Sequence, residues 1–279
     1  MKKADSSLPI ERICRLCGVP IANYYYKPTD NLETEKNIQL KMNDIHTDNL
    51  KTYGRRRMKT ALIDEGIQLG EFKIARLMKD AGIVAKTPQK PHNYPKGVEK
   101  PNIPNLLNRQ FNPDKANTHW VGDITYIRNH QGWSYLATVL DLGTREIVGY
   151  ALSQSPDAEL AKQALMNAIK IHRPNTRELM FHSDQGVQYA ANLFKDTLSL
   201  HGITQSMSRR GNCWDNAVQE RFFRSLKSEY LNGLTFINHS SVVKAVGHYI
   251  RYYNYKRLSS VIGYITPAQK RQDLLKKIA

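Results

Sequence analysis

Between residues 119 and 229 the hydrophobic residues change their spacing in a fixed order, and that order leaves few folds open. "HWVGDITYI", "WSYLATVLD" and "REIVGYALS" are β-branched and aromatic runs separated by turn residues, the pattern of a three-stranded antiparallel meander. "DAELAKQALMNAIKIH" then sets Leu160, Ala164, Leu165 and Ala168 on one side of a helix. A short apolar strand "ELMFHSD", a helix over about 188–201, a short strand "ITQSM" and a helix within "GNCWDNAVQERFFRSLKSE" complete the series. The order β-β-β-α-β-α-β-α predicts an α/β unit, a mixed five-stranded sheet flanked by helices. One more amphipathic helix is expected over 239–255, with Val242, Val246, Tyr249 and Tyr253 aligned.

Three acids stand out against this frame. Asp123 lies inside the first strand between apolar Val121 and Ile124, where an isolated carboxylate is costly to bury without a partner or a metal. Asp184 follows the fourth strand, at the end of a sheet where ligand-binding groups collect, and Glu220 lies in the helix 36 positions further on. Carboxylates brought together repel one another, and a hard divalent cation such as Mg²⁺ relieves them while keeping positions open for water and phosphate. On the Glu220 helix, Val218, Phe222 and Leu226 form a buried stripe, whereas Asn216, Glu220, Arg224 and Lys227 share the other face. That face reads either as a set of solvated ion pairs or as an acid followed by cations that hold a phosphate backbone.

The formal net charge of +16 is unevenly spread. Residues 1–110 carry a balance of +8, residues 111–231 only +1 and residues 232–279 +7, so a near-neutral middle is flanked by basic ends, as suits a polyanion binder. No apolar run approaches the ~20 residues a bilayer needs, and three cysteines are too few for a disulfide framework, so a reducing, cytoplasmic (nucleoid-associated) setting is expected. Cys14 and Cys17 have zinc-like spacing but lack a matching second pair, and buried helical cysteines are the expectation.

Residues 1–86 read as an all-α helix-turn-helix DNA-binding region. "LPIERICRLCGVPIANYYYK" and "YGRRRMKTALIDEGIQLGEFKIARLMKDAGI" each give helix, glycine turn, helix, and a further helix runs through Ile38, Met42 and Ile45. Arg55, Arg56 and Arg57 are the candidate DNA contacts of this region. Six of the twelve prolines fall within 88–113, marking 87–113 as an extended linker; the core is expected over 114–270 and a basic tail over 271–279.

The motifs "W-x-x-D-I-T-Y" at 120–126, "HSDQGVQY" at 182–189, "S-x-R-G-N-C-W-D-N-A-x-x-E-R-F-F-x-x-L-K-x-E" at 206–229 and "YYN…GYITP" at 252–267 together resemble the DDE-type bacterial insertion-sequence transposases of insertion sequence family three. The resemblance is to the downstream-frame product of that family, from about residue 8 to about 268. It implies a ribonuclease-H-like core similar to retroviral integrases, with Asp123, Asp184 and Glu220 binding two Mg²⁺ ions (Mn²⁺ able to substitute). It further implies Mg-dependent DNA strand cleavage and 3′-OH strand transfer. Arg209, Arg210, Asn216, Arg224 and Lys227 would contact DNA, meaning the element ends and target DNA. A homo-oligomer on DNA, a contribution from the upstream-frame product and no membrane association are implied as well. His182 is expected to be structural. Two other readings stay open at this stage: a DNA-binding regulator with an inactive core, and a ribonuclease-H-like nuclease without strand transfer.

Overall fold

The computed structural model describes residues 9–25, 32–86, 103–209 and 213–276. Its N-terminal region is helical: α1 (Ile10–Leu16), α2 (Ile21–Tyr25), α3 (Leu32–Asp48), α4 (Arg55–Asp64) and α5 (Glu71–Asp80). Met42 of α3, Met58 and Leu62 of α4, and Ile74, Leu77 and Met78 of α5 bury one face each in a common cluster. The α4–α5 turn uses Gly66 at φ 79°, a left-handed conformation that costs a glycine little. The first helical pair buries far less: Ile13 and Cys14 of α1 are inside, and no residue of α2 is. Cys17 is exposed, contrary to the expectation that both cysteines are buried, because it caps α1 where the chain turns away.

Beyond it come β1 (His119–Asn129), β2 (Gly132–Asp141), β3 (Ile147–Ser153), α6 (Ala158–His172), β4 (Met180–Ser183), α7 (Val187–Ala190), α8 (Asn192–Leu200), β5 (Thr204–Met207), α9 (Ala217–Glu229), α10 (His239–Tyr255) and α11 (Pro267–Lys276). The sheet order is β3-β2-β1-β4-β5, with β1, β2 and β3 antiparallel and β4 and β5 added in parallel. This is the ribonuclease-H-like arrangement expected from the element order. The one departure lies in the predicted helix over 188–201, which is broken into α7 and α8 where Ala191 adopts extended backbone.

Two cores sandwich the sheet. Val121, Ile127, Leu136 and Leu140 pack against Phe222, Phe223 and Leu226 of α9 and Val242, Val246 and Tyr249 of α10. Trp120, Val139 and Val148 pack against Leu160, Ala164, Leu165 and Ala168 of α6 and Phe194 and Leu198 of α8. Each such side chain contributes roughly 1.5–3 kcal/mol when fully buried. The main helices begin where the sequence caps them. Asp157 accepts from Leu160 N–H at 2.9 Å to start α6, and Asn238 with Ser241 forms a reciprocal capping box for α10.

At two of the expected boundaries the chain is packed. Of the supposed linker, 87–102 lie outside the described residues, but 103–113 pack on the core. Leu107 is buried among α9 and α10 residues, and Ser206 Oγ accepts from the backbone N–H groups of Leu106 and Leu107. The apolar residues that follow the prolines override the extended, solvated conformation that prolines suggest. Likewise 271–276 of the supposed tail belong to α11, where Leu274 is buried.

Helix and core are joined reciprocally. Leu50, at the end of α3, packs on the α9–α10 cluster, and Leu258, beyond α10, completes the cluster of α3, α4 and α5. Tyr53 Oη donates to Lys256 O at 3.1 Å and accepts from Leu258 N–H at 3.1 Å, while Tyr252 Oη donates to Asn49 O at 3.2 Å.

Candidate active site

The acid site begins where β1 loses a neighbour. β4 pairs with β1 only over His119–Gly122, so from Asp123 onward that edge of β1 is open. Gly122 marks the point of parting: a Cβ there would collide with the Phe181 ring of β4. Asp123 stands opposite Thr138 of β2, and its Oδ1 accepts from Ile124 N–H at 2.8 Å, which fixes the carboxylate. Asp184 follows the last residue of β4, where Gly186 N–H donates to its Oδ1 at 3.0 Å. Glu220 is in the first turn of α9.

The three acids sense one another. Burial pushes the Asp123 carboxyl well up, Asp184 adds to the rise, and Glu220 adds again, with Lys227 opposing. Loss of water around the Glu220 carboxyl raises it, Arg224 opposes, and Asp184 raises it further. Among the described residues no three His, Cys, Asp or Glu side chains are gathered closely enough to hold one cation together. Asp123 and Asp184 line a cavity of about 180 Å³ with Thr125, Tyr135 and Tyr189. The Tyr189 hydroxyl is buried without a hydrogen-bond partner among the described residues, and burial, then Asp123 and Asp184, raise its pKa strongly. It is a polar group poised at the two acids.

Of the expected DNA contacts, Arg55, Arg56 and Arg224 are exposed, although Arg55 also faces Glu71 at 3.6 Å. Lys227 lies with Nζ 4.9 Å from the Tyr126 ring centroid and within the field of Asp123. Arg210 lies outside the described residues. Three more of them have partners within the protein. Arg57 folds back over the Tyr53 ring at 5.7 Å and is largely desolvated. Asn216 is buried and donates to Gly122 O at 3.4 Å, tying the start of α9 to the acid-bearing strand. Arg209 is committed to Asp215, whose side chain is fully buried and also accepts from Arg109 Nε at 2.8 Å and Asn105 Nδ2 at 2.8 Å. The hydrogen bonds of Arg209 and Arg109 hold the Asp215 carboxyl well below the usual carboxylate range despite its burial.

His182 is structural, as expected. It is buried between Ser206 Oγ at 2.8 Å and Ser208 Oγ at 3.2 Å, and burial lowers its pKa to about 4. Sequence reasoning passed over Tyr189, the Asp215 clamp and Gln219, which donates from within α9 to Thr138 opposite Asp123. Tyr189 sits in the quoted "HSDQGVQY" motif, but nothing in a linear string shows its ring turning back under Asp184.

The integrase core domain family matches residues 113–213, a second integrase core domain family matches 201–267, and an HTH-like domain matches 33–91. The chain is 36% identical over 272 residues to the insertion element IS600 uncharacterized 31 kDa protein of Shigella sonnei, covering 93% of this chain and 97% of that protein. It is 34% identical to the putative transposase InsK for insertion sequence element IS150 of Escherichia coli (strain K12), covering 95% of this chain and 94% of that protein. Transposase InsF for insertion sequence IS3A of the same strain is 31% identical, with 96% of each chain covered. Among solved structures, the HTLV-2 integrase catalytic core domain in complex with magnesium aligns at a TM-score of 0.44 and 15% identity over 56% of this chain and 97% of that one.

Sheet and matched families define an integrase core beside an HTH-like unit, the plan of a polynucleotidyl transferase. The chain belongs to the family of insertion-sequence transposases. None of its described helices is long and apolar enough to cross a membrane.

Proposed function

We propose that this chain cuts one DNA strand at each end of its element and transfers the freed 3′-OH into target DNA, with Asp123, Asp184 and Glu220 as the working acids. The supporting observation is that Asp123 and Asp184 line one cavity at the open edge of β1, with Glu220 near enough that burial and the neighbouring acids raise both the Asp123 and the Glu220 carboxyls. Such an arrangement is costly in isolation and becomes favourable around positive charge.

The donors fit hard cations, being oxygen groups under mutual repulsion with the unpartnered Tyr189 hydroxyl beside them. Asp123, Asp184 and Glu220 would hold two Mg²⁺ ions, replaceable by Mn²⁺, which would supply charge stabilisation to both the attacking and the leaving oxygen. The chain's own residues do the rest. The Ile124 N–H keeps the Asp123 carboxylate in one orientation. Lys227, beside Asp123, takes a phosphate of the DNA end, and Arg224, one turn after Glu220, takes another. His182, enclosed by two serines, exchanges no proton with substrate.

The test is a labelled element end incubated with Mg²⁺ and target DNA. Joined products are expected; nicks alone would leave a nuclease, and bound complexes alone a regulator. Asp123→Asn, Asp184→Asn and Glu220→Gln should each abolish cleavage and joining while DNA affinity stays near wild type. Near-normal joining by any of the three would overturn the assignment.

A further inference from the structure

The β1–β2 hairpin carries two rings and an arginine that the acid chemistry leaves unused, and Lys227 of α9, already given a phosphate of the DNA end, borders them. The register sets Tyr126 opposite Tyr135 and Arg128 opposite Trp133, so these four side chains share one face of the hairpin. Tyr126 is 52% exposed and Trp133 40%, and their rings meet edge to face with centroids 5.2 Å apart. The Arg128 guanidinium lies 5.0 Å from the Trp133 ring centroid and Lys227 Nζ 4.9 Å from that of Tyr126, giving the sequence cation, ring, ring, cation. Arg128 is exposed to solvent. The strip runs straight into the acid cavity, whose lining includes Tyr126 and Tyr135 together with Asp123 and Asp184.

A cross-strand aromatic pair can stabilise a hairpin by itself, worth about 0.2–1 kcal/mol. That accounts for the ring–ring contact but not for two half-exposed rings each attended by a cation at the mouth of an acidic cavity. The geometry points to a binding strip for unpaired DNA nucleotides next to the bond being cut, their bases stacking on Tyr126 and Trp133 and their phosphates taken by Arg128. Bases within a duplex are already stacked and offer no free face, so exposed rings select strands that have opened. Arginine suits such a strip because its planar group pairs with phosphate and also stacks on a base. The identity of the ligand as DNA rests on the function proposed above, but its capture needs neither divalent cation nor cleavage.

The test is therefore a binding measurement on the full chain without divalent cation. Two DNA ends of one sequence are compared, one fully paired and one whose last three nucleotides are unpaired and carry a stacking-sensitive fluorescent base. Wild type should prefer the unpaired end by about tenfold for each base stacked and should quench the fluorescent base. Tyr126→Ala and Trp133→Ala should each lose much of that preference while binding the paired end as before. Tyr126→Phe and Trp133→Phe, which keep an aromatic face, should retain it. Equal affinity of wild type for both ends, or an unchanged preference in the alanine variants, would overturn the strip, as would an equal loss on both DNAs. A chain that shows the preference yet never cuts with Mg²⁺ would keep the strip and sink the proposed function instead.

Discussion

Asp215 carries the heaviest local burden of hydrogen bonds near the site, accepting from Asn105, from Arg109 and from both the backbone and the guanidinium of Arg209. It thereby fastens the arm at 105–109 and the loop after β5 to the entrance of α9, the helix that carries Glu220. Its two cationic partners are about half exposed, so solvent screening discounts the pairing, and Asp215→Asn is expected to cost about 2 kcal/mol in a denaturant melt. Because its folded pKa is depressed, this contribution is present above the ordinary aspartate range and is lost as pH falls below it. A second single-residue prediction concerns Gly149. A Cβ there would stand 2.5 Å from Ala164 O and 2.7 Å from Ala168 N, atoms of helix backbone that cannot step aside. Gly149→Ala should therefore destabilise by about 1–3 kcal/mol, read by thermal unfolding. Lys227→Ala, by contrast, should leave stability and Mg²⁺ affinity nearly unchanged and weaken end joining; rescue by added Mg²⁺ alone would contradict its phosphate role.

At the scale of elements, a pH dependence is expected where α11 meets the sheet. Burial raises Glu146 to about 7, although Arg271 of α11 stands 3.1 Å away, out of hydrogen-bond alignment, and neighbouring Asp141 is raised by burial to about 6. A carboxyl whose folded pKa exceeds its unfolded value favours folding below the unfolded value and loses that advantage as pH climbs through the folded one. Thermal stability should thus decline between about pH 5 and pH 7.5, by on the order of 2 kcal/mol for Glu146. Glu146→Gln should flatten the profile; an unchanged slope would place the pH dependence elsewhere. What the sequence made legible follows the same scale. Strand order, the span of α10 and the positions of Asp123, Asp184 and Glu220 could be read because periodicity and spacing are local properties. The break at Ala191 and the docking of 103–113 could not, since each depends on which surface the chain meets. The internal partners of Arg57, Arg209 and Asn216 were illegible for the same reason: a cation or an amide shows its polarity in a sequence, but not the group it meets.

At the scale of the whole molecule the helical region and the core share two leucines, Leu50 packed on the core and Leu258 within the helical cluster. With Tyr53, Tyr252 and Asn49 bridging the same seam, both parts should melt in one calorimetric transition, and Leu258→Ala should lower it by about 2–3 kcal/mol of stability while exposing the helical cluster. Binding to non-specific DNA should weaken steeply with salt, with a log–log slope of about −0.9 per phosphate neutralised, as the basic flanks would dictate. The shared seam also bears on how such a protein can be taken apart. A cut in the proline-rich stretch would look natural on paper, yet it would strand Leu258 on one fragment and its socket on the other. A swap of either part for another would have to carry the other's leucine with it.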